Sequence, residues 1–206
     1  LLNLRGKGVN KGAKKSDPLP TSFGGGKRLA NVLKIASGLA NYGRSDLPDG
    51  TSLGIAASGA ETRYNPSFVA CIAQVAVDKS SAAIDVQKLI CAIDAGIVIN
   101  PDGVKAQVEG SLMWGLSAAL LEKMTLDNGH VAERNFDTYK WQNMTKIPDI
   151  EIHIVENGIH PSGVGEPATC VVAPAIGNAI FNATGVRLRS LPFSREELFE
   201  GLDKKT

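Results

Sequence analysis

The fold is decided by residues 67–94, SFVACIAQVAVDKSSAAIDVQKLICAID. The two halves of this stretch, 68–77 and 83–94, are apolar and rich in β-branched residues, and the polar link DKSS at 78–81 suits a tight turn. The pattern predicts a long β-hairpin, and a hairpin of this length usually belongs to an antiparallel or mixed sheet.

Shorter patterns on both sides of the hairpin predict further elements. Apolar residues at helical spacing indicate a helix from Lys27 to Asn41, and Asn100-Pro101 is a favoured start for a second helix that runs to about Leu121. The other predicted elements are strands at 53–57, 150–155 and 186–189, a short hairpin at 122–131, an irregular aromatic stretch at 137–144, an apolar helix at 173–183 and a terminal helix after Ser194. The order predicts an α+β fold, with a mixed sheet, β-hairpins and packed helices.

Size and composition bound the domain count and the class of partner. The chain has 206 residues, which is enough to bury a core. The formal net charge is +1, so nothing favours nucleic acid as a partner. No apolar run has the length of a membrane span, and the start at Leu1 lacks a signal-peptide pattern. Because the sequence does not begin with Met, we expect a chain that is processed, cut from a longer one or incompletely known at its start. We predict a basic connector at 1–28 and one domain at 29–206.

Metal ligands are not predicted in this chain. Cys71, Cys91 and Cys170 form no CxxC pair, so neither a zinc site nor an iron–sulfur site is indicated. We predict that these cysteines are small buried core residues with free thiols, as in a reducing compartment. The three histidines form no HxxxH or HxH motif and are predicted to be structural or surface groups.

One loop carries chemistry. In Gly163-Val164-Gly165-Glu166-Pro167, two glycines let the backbone approach a ligand closely, and the proline after the glutamate fixes φ. The arrangement predicts a carboxylate, that of Glu166, held rigidly beside a bound group.

A dinucleotide fingerprint is the alternative interpretation of the same loop, since residues 163–168 fit GxGxxA. The context counts against this interpretation. The preceding strand ends well before Gly163, Pro167 interrupts the turn, and Arg187 and Arg189 stand where an acidic residue would be expected. A dinucleotide-binding domain that uses Gly163–Ala168 therefore stays the alternative.

Several blocks together resemble a known family. They are 91–102, 107–110, 115–120, the loop at 163–167, and 173–192. In order and spacing they resemble the C-terminal part of the molybdopterin-binding large subunit of the xanthine dehydrogenase/aldehyde oxidase family. Within it, the likeness is to isoquinoline 1-oxidoreductase beta-subunit-like and aldehyde dehydrogenase-like members. The resemblance extends from about Lys27 to Phe193.

The resemblance implies a role for five residues. It implies that Glu166 is the general base that takes the proton of a molybdenum-bound hydroxyl group. It also implies that Gln107 hydrogen-bonds the pterin, and that Gly163, Val164 and Gly165 supply backbone beside the metal. The implied activity is oxidation of aldehydes or N-heteroaromatic compounds with water as oxygen donor.

The resemblance also implies cofactors and partners. The cofactor is molybdopterin with molybdenum, in the cytosine dinucleotide form, and the 2Fe-2S clusters lie on a partner chain. The partners are the remainder of the large subunit, a small iron–sulfur subunit, a cytochrome or flavin subunit and a small-molecule substrate. Such a chain would be active only with other chains, in the cytoplasm or in a bacterial periplasm, and a non-catalytic assembly fragment is a further alternative. Trp114, Tyr139 and Trp141 are candidates for a substrate channel, although we expect them to pack in the core.

Overall fold

A computed structural model describes residues 25–44, 46–62 and 65–204. Its helices and strands are α1 (Gly25–Leu39), β1 (Thr51–Thr62), β2 (Asn65–Asp78), β3 (Ala83–Asp94), α2 (Pro101–Leu120), β4 (Leu126–Asp127), β5 (His130–Val131), β6 (Asp149–Val155), α3 (Thr169–Thr184) and α4 (Arg195–Asp203). A single 3-10 turn at Met144–Lys146 precedes β6.

The main sheet is mixed, as predicted. Its strand order is β1-β2-β3-β6. The strands β1, β2 and β3 are antiparallel neighbours, so the predicted hairpin at 68–94 is confirmed. The strand β6 pairs with β3 in parallel, and Asp94 lies opposite Val155. The carboxyl ends of β3 and β6 therefore meet at one edge of the sheet, and the chain leaves both strands on the same side of the domain.

Alternation along β2 divides the core into two layers. Val69, Cys71 and Val75 point to one face and pack with α2, α3 and α4. Phe68 and Ile72 point to the other face, which α1 covers. Successive side chains of a strand point to opposite faces of the sheet, and both faces of β2 are buried. The result is three layers, with α1 on one side of the sheet and the pair α2 and α3 on the other.

The helices α2 and α3 approach each other closely. A Cβ on Gly115 would lie 2.8 Å from the carbonyl oxygen of Thr169. The hydroxyl groups of Ser111 and Thr169 are 2.9 Å apart, and the Thr169 hydroxyl also donates to the Ser111 carbonyl oxygen at 3.1 Å. Small side chains at the crossing thus fix the start of α3 against the middle of α2.

The helix boundaries differ from the sequence prediction at two points. The helix α1 begins at Gly25, so Arg28 lies inside it and is buried, although it falls within the predicted connector. Residues 1–24 of that connector lie outside the described residues. The helix α3 begins at Thr169 and not at residue 173, because Pro174 is tolerated inside the helix, where it removes one backbone donor.

The predicted strand at 186–189 is wrong. The segment has no regular structure, although Val186 and Leu188 are buried and the arginines between and after them are exposed. The alternation reflects packing of an irregular segment onto the core and not pairing in a sheet. The predicted start of the terminal helix is confirmed, because the Ser194 hydroxyl accepts a hydrogen bond from the Glu197 amide. No helix of the described segments is long and apolar enough to cross a membrane.

Candidate active site

The segments that follow β3 and β6 position the glycine loop. Beyond the two strand ends, the Ile97 amide donates to the Ile159 carbonyl oxygen and the Ser162 amide donates to the Ala95 carbonyl oxygen, both at 2.8 Å. Gly96 lies between, with φ +83°, and a Cβ there would lie 2.6 Å from the Ile159 carbonyl oxygen. Only glycine allows this approach, so the two segments run side by side up to residue 162.

A buried ion pair anchors the same strand ends. Arg28 donates to both carboxylate oxygens of Asp94, at 2.6 and 3.0 Å, and its guanidinium lies 4.7 Å from the centre of the Phe68 ring. The Asp94 carboxylate also accepts from the Asn157 side chain at 2.6 Å and from the Gly96 amide at 3.2 Å. One carboxylate therefore joins α1, β3 and the segment that leads to the glycine loop.

The loop itself is held at both ends. The buried Ser67 hydroxyl, at the start of β2, donates to the Gly163 carbonyl oxygen at 2.5 Å. At the other end, the Thr169 amide donates to the Glu166 carbonyl oxygen at 3.0 Å, and Pro167 is buried. Val164 is half-buried and packs against the main core, whereas Gly163, Gly165 and Glu166 are exposed.

The structure brings the predicted site residues together. Gln107 lies on the exposed side of α2, and its side-chain nitrogen is 3.2 Å from the position of a Cβ on Gly165. Within the described part of the chain, neither the Gln107 carboxamide nor the Glu166 carboxylate forms a hydrogen bond or an ion pair with another side chain. Both groups are therefore available to a ligand that lies against this surface.

These residues fit a pterin cofactor. A free carboxamide can donate to and accept from a heterocycle, and an exposed glycine backbone beside it permits close contact. Across residues 25–44, 46–62 and 65–204 there is no cluster of three His, Cys, Asp or Glu side chains that could hold a metal ion. Gln107, Gly163, Val164 and Gly165 are the residues that would hold the cofactor, and Glu166 directly follows Gly165 in the chain.

An aromatic groove continues the surface along α2. Gly110 and Trp114 follow Gln107 on the same helix face, and Trp114 is 76% exposed. The groove has a volume of about 450 Å³ and is also lined by Trp141 and Met144. The prediction that Trp114 packs in the core is therefore wrong. The side of α2 that bears Gln107 and Trp114 is exposed.

The other predicted groups take less part in the site. Tyr139 donates a hydrogen bond to Glu122 at 2.9 Å, and this contact raises the pKa of the Tyr139 hydroxyl group. Cys71 and Cys91 are buried free thiols as predicted, whereas Cys170 is exposed, which corrects its prediction as a core residue. The three histidines are exposed, as predicted for surface groups.

Sequence reasoning missed Ser67, Asp94 and Asn157. A carboxylate at the end of the apolar run Ile90–Ile93 was the signal for Asp94, because a buried charge requires a partner. No local signal indicates Ser67 or Asn157, since the partner atoms of both lie far away in sequence.

Residues 47–148 match the model of the molybdopterin cofactor-binding domain family. The chain belongs to that family. A membrane-bound aldehyde dehydrogenase [pyrroloquinoline-quinone] of Gluconacetobacter polyoxogenes is 42% identical over 97% of this chain and 25% of its own length. Isoquinoline 1-oxidoreductase subunit beta of Brevundimonas diminuta is 35% identical over 80% of this chain and 21% of its own length. The chain thus spans about a quarter or less of the length of these relatives.

Solved structures share the fold. The aldehyde oxidoreductase of Desulfovibrio gigas superposes with a TM-score of 0.59 and 28% identity, over 67% of this chain and 16% of that one. The predicted resemblance and fold class are confirmed. The matched domain includes Gln107 and ends before the loop at 163–166, so the roles of the individual site residues stay predictions, as do the domain limits. For the dinucleotide alternative, residues 163–168 lack the strand that should directly precede them, since β6 ends at Val155.

Proposed function

We propose that this chain is the part of a molybdopterin-dependent hydroxylase that presents the general base Glu166 and the cofactor-binding side chain Gln107. The observation that carries the proposal is the contact between α2 and the glycine loop, where Gln107 lies against Gly165. Among the described residues, neither the Gln107 carboxamide nor the Glu166 carboxylate has a hydrogen-bond or ion-pair partner. A ligand with both donors and acceptors would supply such partners.

The whole protein is proposed to oxidise aldehydes or N-heteroaromatic compounds with water as oxygen donor. The relatives support this substrate class, since one is named as an aldehyde dehydrogenase and the other as an isoquinoline oxidoreductase. The bound molybdenum cofactor would supply a two-electron acceptor. The reaction converts an aldehyde and water to a carboxylic acid, with release of two electrons and two protons.

Each residue of the loop has a defined task in this proposal. The Glu166 carboxylate accepts a proton that the consumed water must lose, which is the work of a general base. Gln107 orients the cofactor by hydrogen bonds from its carboxamide. The glycines at 163 and 165 let the backbone beside Glu166 approach that cofactor closely, because they carry no side chain.

Further parts of the proposal concern other chains. The cofactor is proposed to be the cytosine dinucleotide form of molybdopterin, with 2Fe-2S clusters on a small partner subunit that passes electrons to a cytochrome or flavin subunit. The remainder of the large subunit would complete the site. The name of the Gluconacetobacter relative includes pyrroloquinoline quinone, so this quinone is the second candidate cofactor.

Metal and cofactor analysis of the purified protein, with all its associated chains, tests the proposal. We expect molybdenum in an amount equimolar with this chain, a pterin released on denaturation, and the absorption of 2Fe-2S clusters. Pyrroloquinoline quinone without molybdenum would support the second candidate. A bound nucleotide without molybdenum would favour the dinucleotide alternative, and absence of every cofactor would favour the assembly fragment.

A further inference from the structure

We propose that Ser67 is a positioning residue that holds the Glu166 loop in its working conformation. The proposal rests on the proposed function, because it concerns how the base is kept in place. Ser67 is not part of the glycine motif and lies almost a hundred positions before it in the sequence.

The contact is short and joins a buried hydroxyl group to an exposed loop. The Ser67 side chain is fully buried, and its hydroxyl donates to the carbonyl oxygen of Gly163 at 2.5 Å. Ser67 is itself fixed, since it pairs with Ala60 of β1 near the start of β2. The hydroxyl therefore connects a rigid strand of the sheet to the first residue of the loop.

The loop needs such a restraint. Upstream, backbone hydrogen bonds hold the chain as far as Ser162, and downstream the turn into α3 holds the Glu166 carbonyl oxygen. Among the described residues, Ser67 supplies the one side-chain hydrogen bond to the backbone between Gly163 and Glu166. Two of the four loop residues are glycines, which have the widest conformational freedom. The segment is otherwise held by the packing of the half-buried Val164 and by the turn at Glu166.

Catalysis is sensitive to small displacements of a base. A shift of about 1 Å can reduce a rate by about a hundredfold. A loosened Gly163 would let the Glu166 carboxylate sample such displacements, whereas Gln107, on α2, would keep its place. Loss of Ser67 should therefore lower kcat without changing cofactor content.

Ser117 offers a matched control. It is also a buried serine, and its hydroxyl accepts a hydrogen bond from the Gln142 amide at 2.9 Å. Ser117→Ala removes an equivalent buried hydrogen bond on α2, but the loop that it loosens is the one at Gln142. Any effect that arises from loss of a buried hydroxyl alone should be the same in both variants.

The test uses the assembled holoenzyme with Ser67→Ala, Ser117→Ala and wild-type chains. Hydrogen–deuterium exchange of a peptide that spans 163–168 should be about tenfold faster in Ser67→Ala and unchanged in Ser117→Ala, as expected for one lost hydrogen bond. The kcat of Ser67→Ala should fall by about tenfold to a hundredfold, with KM and molybdenum content unchanged. If Ser67→Ala does not assemble, Ser67→Cys leaves no cavity, keeps a weak donor and should show smaller changes in the same direction.

Glu166→Gln separates this proposal from the proposed function. If Ser67 acts through Glu166, Ser67→Ala should cause no further loss of rate in the Glu166→Gln background. Unchanged exchange and kcat in Ser67→Ala, or an equal increase in the exchange of residues 163–168 in Ser117→Ala, would overturn the positioning role. A fully active Glu166→Gln variant would instead overturn the proposed base, whatever Ser67→Ala does.

Discussion

The side-chain nitrogen of Gln107 lies 3.2 Å from the point where a Cβ on Gly165 would sit. This contact joins the exposed side of α2 to the glycine loop. The φ of residue 165 does not demand a glycine. A methyl group at this position would be a few tenths of an ångström too close to the carboxamide, so the carboxamide would have to shift.

Gly165→Ala tests this contact. The added methyl group should displace the Gln107 side chain and lower cofactor occupancy, while the fold persists, because only a flexible side chain must shift. Molybdenum per chain and the Tm of the complex are the two measurements. Gly38→Ala in α1 is the control, since a Cβ there meets nothing within 4 Å and alanine favours a helix. Equal cofactor occupancy in both variants would show that Gln107 does not need its present position.

The Arg28–Asp94 ion pair should contribute strongly to stability. Its side chains are 9% and 2% exposed, and removal of one member leaves a buried charge without a partner. Asp94→Ala should therefore cost about 3–5 kcal/mol. Thermal unfolding of the purified complex should show a large decrease in Tm.

Asp149→Ala provides the comparison for this prediction. Asp149 contacts Lys88 at 3.3 Å but is 70% exposed, and surface pairs contribute roughly 0–1 kcal/mol. A similar Tm for the two variants would contradict the account of how Asp94 anchors α1 to the ends of β3 and β6.

Burial should protect two of the cysteines from alkylation. Desolvation raises the pKa of Cys91 to about 12 and raises that of Cys71 well above its usual value. Because the thiolate is the reactive form, neither should react at pH 8 in the native protein, and both should react after unfolding. Mass spectrometry of a Cys170→Ser variant measures this without the exposed thiol. Rapid labelling of the native variant would show that the core opens.

Sequence patterns predicted the helices and strands whose apolar residues recur at regular spacing over many positions. The hairpin at 68–94 and the α2 start at Asn100-Pro101 were both found. The roles of Gln107 and of the glycine loop came from the family resemblance and stay predictions. The patterns failed where tertiary packing imitates or overrides a local signal. The alternation at 186–189 has no partner strand, and the apolar face of α2 around Trp114 is exposed in this chain.

The contacts that hold the glycine loop could not be predicted for a related reason. Ser67 contacts Gly163 of the loop, and Asp94 contacts Asn157 in the segment before it, so both contacts join residues distant in sequence. The Asp94 contact lies where β3 and β6 pair in parallel. Hydrophobic periodicity does not encode that pairing. The loop's composition indicated its chemistry, but its support comes from the sheet.

The central claim is that Glu166 is the general base, and the kcat of a Glu166→Gln holoenzyme tests it most directly. Glutamine keeps the shape and removes the base, so kcat should fall by about a hundredfold to ten-thousandfold, with molybdenum content and KM retained. Glu109→Gln is the control. Among the described residues, this half-buried acid on α2 forms an ion pair with Lys105 alone, at 3.8 Å. The kcat of the Glu109→Gln variant should be unchanged. Turnover of Glu166→Gln close to that of the Glu109→Gln control would contradict the claim.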